Sequence, residues 1–192
     1  MVDNLTSSEE QRTFKAKKFI VWLFVVSSSI MFGGFTSYYI VFSEAKGKGH
    51  GLVLPDLFMY STVVLLLSSI CLFIASKSFK SGNFARQRML LWITIILGVI
   101  FGALQFEGWK SLILNGAVLV NNNASISMIY VLSGFHLLHI LAGIFIIIGV
   151  LLGSYKGISL ERQGFRVQIA SIFWHFIDIL WIYLYVFLLL NS

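Results

Sequence analysis

Five apolar runs, each about 20 residues or longer, fill most of the chain and leave only short polar loops between them. Wound as a helix, such a run spans the roughly 30 Å of hydrocarbon in a bilayer. In hydrocarbon the backbone must satisfy its own polar groups, so apolar runs of this length are read as helices. They fall near 18–42, 55–76, 90–114, 126–153 and 167–190, after a polar tail over 1–17 read as interfacial or mobile. The expected fold is all-α: an integral membrane bundle of five transmembrane helices, one domain over 18–192. Short loops make neighbouring helices antiparallel. The loop NGAVLVNNNAS, 115–125, is expected to face solvent. No internal repeat or soluble domain is evident. No cleavable signal peptide is expected, because the first apolar run is too long for one.

Only 11% of the residues are charged, against about a quarter in soluble domains. The formal charge of +6 is therefore not a sign of nucleic-acid binding. The cations sit in the tail and loops, where they set topology. Arg12, Lys15, Lys17, Lys18, Lys77, Lys80, Arg86, Arg88, Lys156, Arg162 and Arg166 fall on one side, and Lys46, Lys48 and Lys110 on the other. That asymmetry predicts a cytoplasmic N-terminus and an outside C-terminus. Cys71 is the only cysteine, which excludes an intrachain disulfide and a thiolate cluster. Tyr38, Tyr39, Trp22, Trp92 and Trp109 are read as interfacial anchors, and His50 as a solvated loop residue.

The fifth run carries FWHFIDILW at 173–181. His175 and Asp178 are three apart and share a helix face. An Asp at mid-membrane costs about 2.5–3.5 kcal/mol on insertion scales, so something must answer it. The fourth run carries SGFHLLHILAG at 133–143, with His136 and His139 on one face. Counted at about 1.5 Å per residue, both motifs lie about 16–21 Å deep. Gln105, Glu107 and Trp109 lie toward the end of the third run. Gly33, Gly34, Gly98, Gly102, Gly134 and Gly143 are expected to let helices approach closely. The Ser27–Ser28–Ser29 and Ser68–Ser69 clusters are read as small-residue packing. Three readings of the deep polar groups stand. They form an inter-helix network that shapes the bundle, they handle protons, or they hold a metal between facing helices. A single carboxylate at the right depth argues against the metal.

FWHFIDILW resembles the YWHFVDVVW stretch of subunit III of the haem-copper oxidases, the cytochrome c oxidase type, and SGFHLLHILAG resembles its GFHGLHVIVG. Leu97–Gly98 with Gln105, Glu107 and Trp109 is similar to that family's LG…Q…E(W/Y) pattern. Pro55, Ser61–Thr62 and Leu66–Leu67–Ser68–Ser69 are similar to its P…NT…LLSS helix, and Trp22–Leu23–Phe24 with Met31–Phe32–Gly33–Gly34 to its first common helix. The resemblance covers all five runs. Gly134, Trp174 and Trp181 belong to its motifs with Gln105 and Trp109. It implies a multi-pass subunit of a bacterial cytoplasmic (inner) membrane that holds no redox metal. Haems and copper would sit in partner subunits. Subunit I would be the main contact, with subunit II, membrane phospholipid and a larger respiratory supercomplex as further neighbours. The subunit would stabilise subunit I and support proton uptake or oxygen access while oxygen is reduced to water with electrons from cytochrome c or quinol. Glu107, His136, His139, His175 and Asp178 would form a structural polar network, with no catalytic residue and no metal ligand.

Two departures stand out. Longer members have seven helices, and this chain resembles the short form that lacks the first two. There the missing pair can be carried by subunit I, which would supply the second wall of the lipid-filled cleft. The family often has an acid in an S-E-x-M-F-F stretch, where this chain has Ser29. A residue count agrees with a chain that carries no redox centre. Two haems and a copper take six histidines, and this chain has 4. The accessory protein of nitric oxide reductase shares the same fold and motifs, and the complete Gln105, Glu107 and His-x-x-His set favours the oxidase. A stand-alone transporter or proton channel would more often show repeats and broken helices. A stand-alone metalloenzyme is the remaining reading.

Overall fold

The computed structural model describes residues 2–45, 55–119 and 124–191, with side chains over 9–41, 55–119 and 126–191. His50, Lys46, Lys48 and part of the 115–125 loop lie outside the described residues. Five helices follow in order: α1 Val2–Ala45, α2 Leu57–Lys80, α3 Phe84–Leu114, α4 Ala124–Lys156 and α5 Leu160–Asn191. All five are long and apolar enough to cross a membrane. The described residues are otherwise turns and coil.

The helices outrun the apolar runs. α1 begins at Val2, so the stretch read as a tail continues the first helix; at 44 residues it is about 66 Å long. The flanking Lys, Arg, Gln and Ser are all compatible with helix, and nothing breaks the spiral until a cap is reached. Glycines in the left-handed region close three helices: Gly82 at φ 75, Gly116 at φ 81 and Gly157 at φ 63. After α2, Asn83 N–H reaches Ser78 O and Gly82 N–H reaches Phe79 O; after α3, Ala117 reaches Leu112 and Gly116 reaches Ile113. These are the paired bonds of a Schellman cap. Asn83 then opens α3 by accepting from Arg86 N–H at 3.1 Å, an N-cap. One short turn thus folds α3 back along α2.

Packing runs around a ring. α2 touches α3, α3 touches α4, α4 touches α5 and α5 touches α2. Among the described residues α1 touches only α4 and α5, so it lies outside the ring. Its buried side chains, Ser28, Phe32, Thr36 and Tyr39, form one narrow stripe at spacings of four and three. α5 buries a far broader face, including Phe173, Trp174, Ile177, Asp178, Trp181 and Leu184.

Two glycines let α5 seat its largest side chain. A Cβ built at Gly143 would stand 2.8 Å from Trp174 Cε3, and one at Gly98 would stand 3.0 Å from Trp174 Cη2. The indole fills the slot these glycines leave between α3 and α4. The expectation of close approach fails at Gly33, Gly34 and Gly134, where nothing lies within 4 Å of the built Cβ. Those glycines face away from their neighbour helices, and a pattern of small residues does not say which way they point. Gly143→Ala should destabilise the bundle by about 1–3 kcal/mol through overpacking, whereas Gly134→Ala should leave it unchanged. Thermal unfolding of the detergent-solubilised protein measures both.

Candidate functional site

Trp174 and Trp181 lie seven residues apart on α5 and point into the ring. Both are fully buried. An indole N–H in an apolar interior needs an acceptor, and α2 supplies one to each. Trp174 Nε1 donates to Ser68 Oγ at 3.0 Å, and Trp181 Nε1 donates to Thr62 Oγ1 at 2.9 Å. Two further bonds join the ring at the level above. Gln105 Nε2 donates to Ser61 Oγ at 3.0 Å, and Trp109 Nε1 donates to Ser133 Oγ at 2.9 Å. Ser61, Ser68 and Ser133 also donate to carbonyls of their own helices. Each of these hydroxyls therefore keeps its proton occupied and offers a lone pair across the seam.

The three histidines occupy three different settings. His136 is buried against aromatic rings: Trp181 at 4.8 Å between ring centroids and 30° between planes, and the edge of Phe101 at 5.6 Å. Neither of its ring nitrogens has a hydrogen-bond partner. His139 binds outward, toward α1. Its Nδ1 is 2.7 Å from Phe135 O and its Nε2 3.3 Å from Ser28 Oγ. A carbonyl only accepts, so in the neutral ring Nδ1 carries the hydrogen and Nε2 accepts from the serine. His175 lies at the α2–α5 seam, with Nδ1 2.7 Å from Ser69 Oγ and 3.7 Å from Asp178 Oδ2. Asp178 is buried, and neither carboxyl oxygen has a partner at hydrogen-bond distance.

The side chains anticipated as one network are thus dispersed. His175 and Asp178 sit together. His136 and His139 point to different neighbours, and neither bonds to His175 or Asp178. Glu107 is apart from all of them, pairing with Lys110 at 2.6 Å on the exposed surface of α3. Gln105, Trp109, Trp174 and Trp181 each bridge two helices, and Gly134 makes no close approach. Among the described residues no three His, Cys, Asp or Glu side chains gather into a group that would hold a metal ion.

Ser28, Ser68 and Ser69 do more than pack: they carry the contacts to His139, Trp174 and His175. The Thr36 and Tyr183 hydroxyls, 2.8 Å apart, fasten α1 to α5, and no motif in the sequence marks them. The available signal was the number of buried donors: every indole or imidazole at membrane depth implies a hydroxyl or carbonyl on a facing helix.

Comparison with known proteins gives one consistent result. The model of a protein family described as Cytochrome c oxidase subunit III matches residues 4–192. The chain is similar to Cytochrome c oxidase subunit 3 of Alkalihalophilus pseudofirmus, 29% identical over 94% of this chain and 90% of that protein. It is similar to Quinol oxidase subunit 3 of Bacillus subtilis, 30% identical over 85% of this chain and 81% of that protein. It is similar to Cytochrome c oxidase subunit 3 of Hippopotamus amphibius, 28% identical over 90% of this chain and 68% of that protein.

A double-mutant cycle on Ser68→Ala and Trp174→Phe tests the indole bridge. The expected coupling is about 0.6 kcal/mol, with about 1.7 kcal/mol as the upper bound for intramembrane hydrogen bonds. Unfolding in mixed micelles is the measurement.

Proposed function

The chain belongs to the cytochrome c oxidase subunit III family, and we propose that it works as the non-catalytic third subunit of a proton-pumping terminal oxidase. The match over residues 4–192 carries this reading. The chemistry of the histidines supports it. His136 is enclosed by rings, and His139 and His175 are engaged by Ser28 and Ser69. In this reading the haems and copper reside in partner subunits. The chain packs against subunit I, with subunit II in the same complex, in the cytoplasmic membrane of a bacterium, N-terminus inside. Its bundle stabilises subunit I during turnover and supports proton uptake or oxygen access.

Lipid binding has a concrete place in this reading. A groove of about 860 Å³ opens where α1, the end of α4 and the start of α5 meet. Its polar rim holds Lys17, Arg162 and Arg166 against Glu9 and Glu10, and its floor includes Phe14, Ile146 and Ile169. It lies on the side with the excess of Lys and Arg. Cations over an apolar floor at the membrane surface suit an anionic headgroup with its acyl chains. Glu10 pairs with Arg162 and Arg166 reaches Gly149 O at 3.4 Å, so in this reading Lys17 and the remaining donors of Arg166 meet the phosphate, with Glu9 beside them. The same reading assigns oxygen access to a second space. An apolar cleft of about 330 Å³ between α3 and α4 is lined by Gly98, Gly102, Ala103, Leu137, Ile140 and Ile144. An apolar gas partitions into such a space.

Gentle-detergent pull-down of this chain from native membrane should bring down a large membrane subunit with haem absorption. A colourless preparation of the chain alone, repeated in milder detergent, would overturn the oxidase reading in favour of a stand-alone protein. Assay of the same complex with reduced cytochrome c and with a quinol assigns the electron donor. Asp178→Asn should lower the amount of assembled complex more than the turnover per haem. Normal assembly with lost proton pumping would show instead that Asp178 handles protons.

A further inference from the structure

Polar side chains gather around the α2–α5 seam, and of these His175 is the one that opens outward. Both oxygens of Asp178 and the hydroxyl of Ser171 are buried without a hydrogen-bond partner. His175 lies between them on the same helix face, four residues after Ser171 and three before Asp178. Its Nδ1 is taken up by Ser69 and faces Asp178. No hydrogen bond reaches its Nε2 among the described residues, and its side chain is 36% exposed. α1 does not cover this side, because among the described residues it makes no contact with α2.

His175 stands eight residues into the apolar run 167–190, about 12 Å from its start and about 22 Å from its end. In the membrane reading that lies inside the hydrocarbon. Hydrocarbon offers nothing to an imidazole nitrogen, and a polar group facing lipid there is costly. A lipid headgroup belongs at the interface and does not reach this depth. The rim of the notch is apolar. Leu66 and Phe73 lie one turn either side of Ser69 on α2, and Ile179 lies one turn beyond His175 on α5; they are 42%, 62% and 67% exposed. Apolar flanks around one polar centre make a helix-docking face rather than a water channel.

We propose that this face docks a membrane-spanning helix of a neighbouring subunit, which presents one hydrogen-bonding side chain within the hydrocarbon to His175 Nε2. The inference rests on the reading of the chain as a subunit of an oxidase complex, and adds to it which face meets the partner and through what chemistry.

Photocrosslinking in the complete complex tests it. A photoreactive benzoylphenylalanine replaces Leu66 or Ile179, with Phe145 on α4, 71% exposed, as the comparison site. Mass spectrometry identifies the captured segment. In parallel, His175→Leu and His175→Gln complexes are washed with detergent, and the share of this chain retained with the haem is measured. Leu66 and Ile179 should capture the same transmembrane segment of one subunit. His175→Leu should weaken retention by about 3-fold, and by no more than about 20-fold, the range of intramembrane hydrogen bonds. His175→Gln, which keeps a hydrogen-bonding group, should restore most of it. A chain that co-purifies with haem but captures only lipid from Leu66 and Ile179 overturns the docking face and leaves the subunit reading intact. Unchanged retention in His175→Leu overturns the role of the imidazole. A chain with no haem-bearing partner overturns the subunit reading and the docking face together.

Discussion

The seating of Trp174 is the contact on which the four-helix ring depends. The indole belongs to α5, rests against Gly98 of α3 and Gly143 of α4, and donates to Ser68 of α2. One side chain therefore touches every other helix of the ring. Lipid tails are as apolar as leucine, so burial of apolar surface gives little drive for helices to associate within a membrane. Close packing and hydrogen bonds must supply it. A large rigid side chain with one donor, lodged in a slot made by two glycines, provides both. Neither glycine matters for backbone conformation here; each matters because a Cβ would occupy the place of the ring. Trp181 repeats the arrangement two turns further along, with Thr62 as acceptor and His136 stacked on its face.

The fold was legible in the sequence because hydrocarbon permits so few alternatives. Five long apolar runs give five helices, and the structure has them in the expected order. The ends were less legible. Hydropathy marks where the membrane stops, whereas the helix stops at a cap. Gly82, Gly116 and Gly157 mark those caps. The N-terminal stretch shows the same difference: it is polar because it leaves the hydrocarbon, and helical because nothing in it prevents helix.

The polar side chains were legible as a set but not in their pairing. Matched depth put His136, His139, His175 and Asp178 on one level, and depth is only one of three coordinates. The rotation of each helix decides the partner. α4 turns His139 toward Ser28 of α1 and His136 toward Trp181, while α5 turns His175 toward Ser69 of α2. The serines looked like spacers because a hydroxyl on a membrane helix can satisfy itself on its own backbone, as Ser29 does on Val25 O. Ser68 does this too and still accepts from Trp174. The double role cannot be read from the chain, because it depends on which helix lies opposite.

The ring and α1 are held by different means. The ring is closed by a continuous aromatic core with indole and amide bonds. α1 joins it along a narrower stripe: Phe14 on Phe165, Phe24 on Phe173, Phe32 on His139, Phe35 on Phe135 and Tyr39 on Phe187, with polar ties from Glu10 to Arg162, Ser28 to His139 and Thr36 to Tyr183. The Phe14 and Glu10 contacts lie at the Lys- and Arg-rich end, and the groove with Lys17 and Arg166 opens beside them. In the proposed reading, lipid in that groove would bridge α1 to α4 and α5. α1 covers one side of α5, through Phe173, Tyr183 and Phe187, and leaves the His175 side at the α2 seam open. Coverage of one side only follows from helix periodicity: a stripe at spacings of four and three meets its neighbours along a single line.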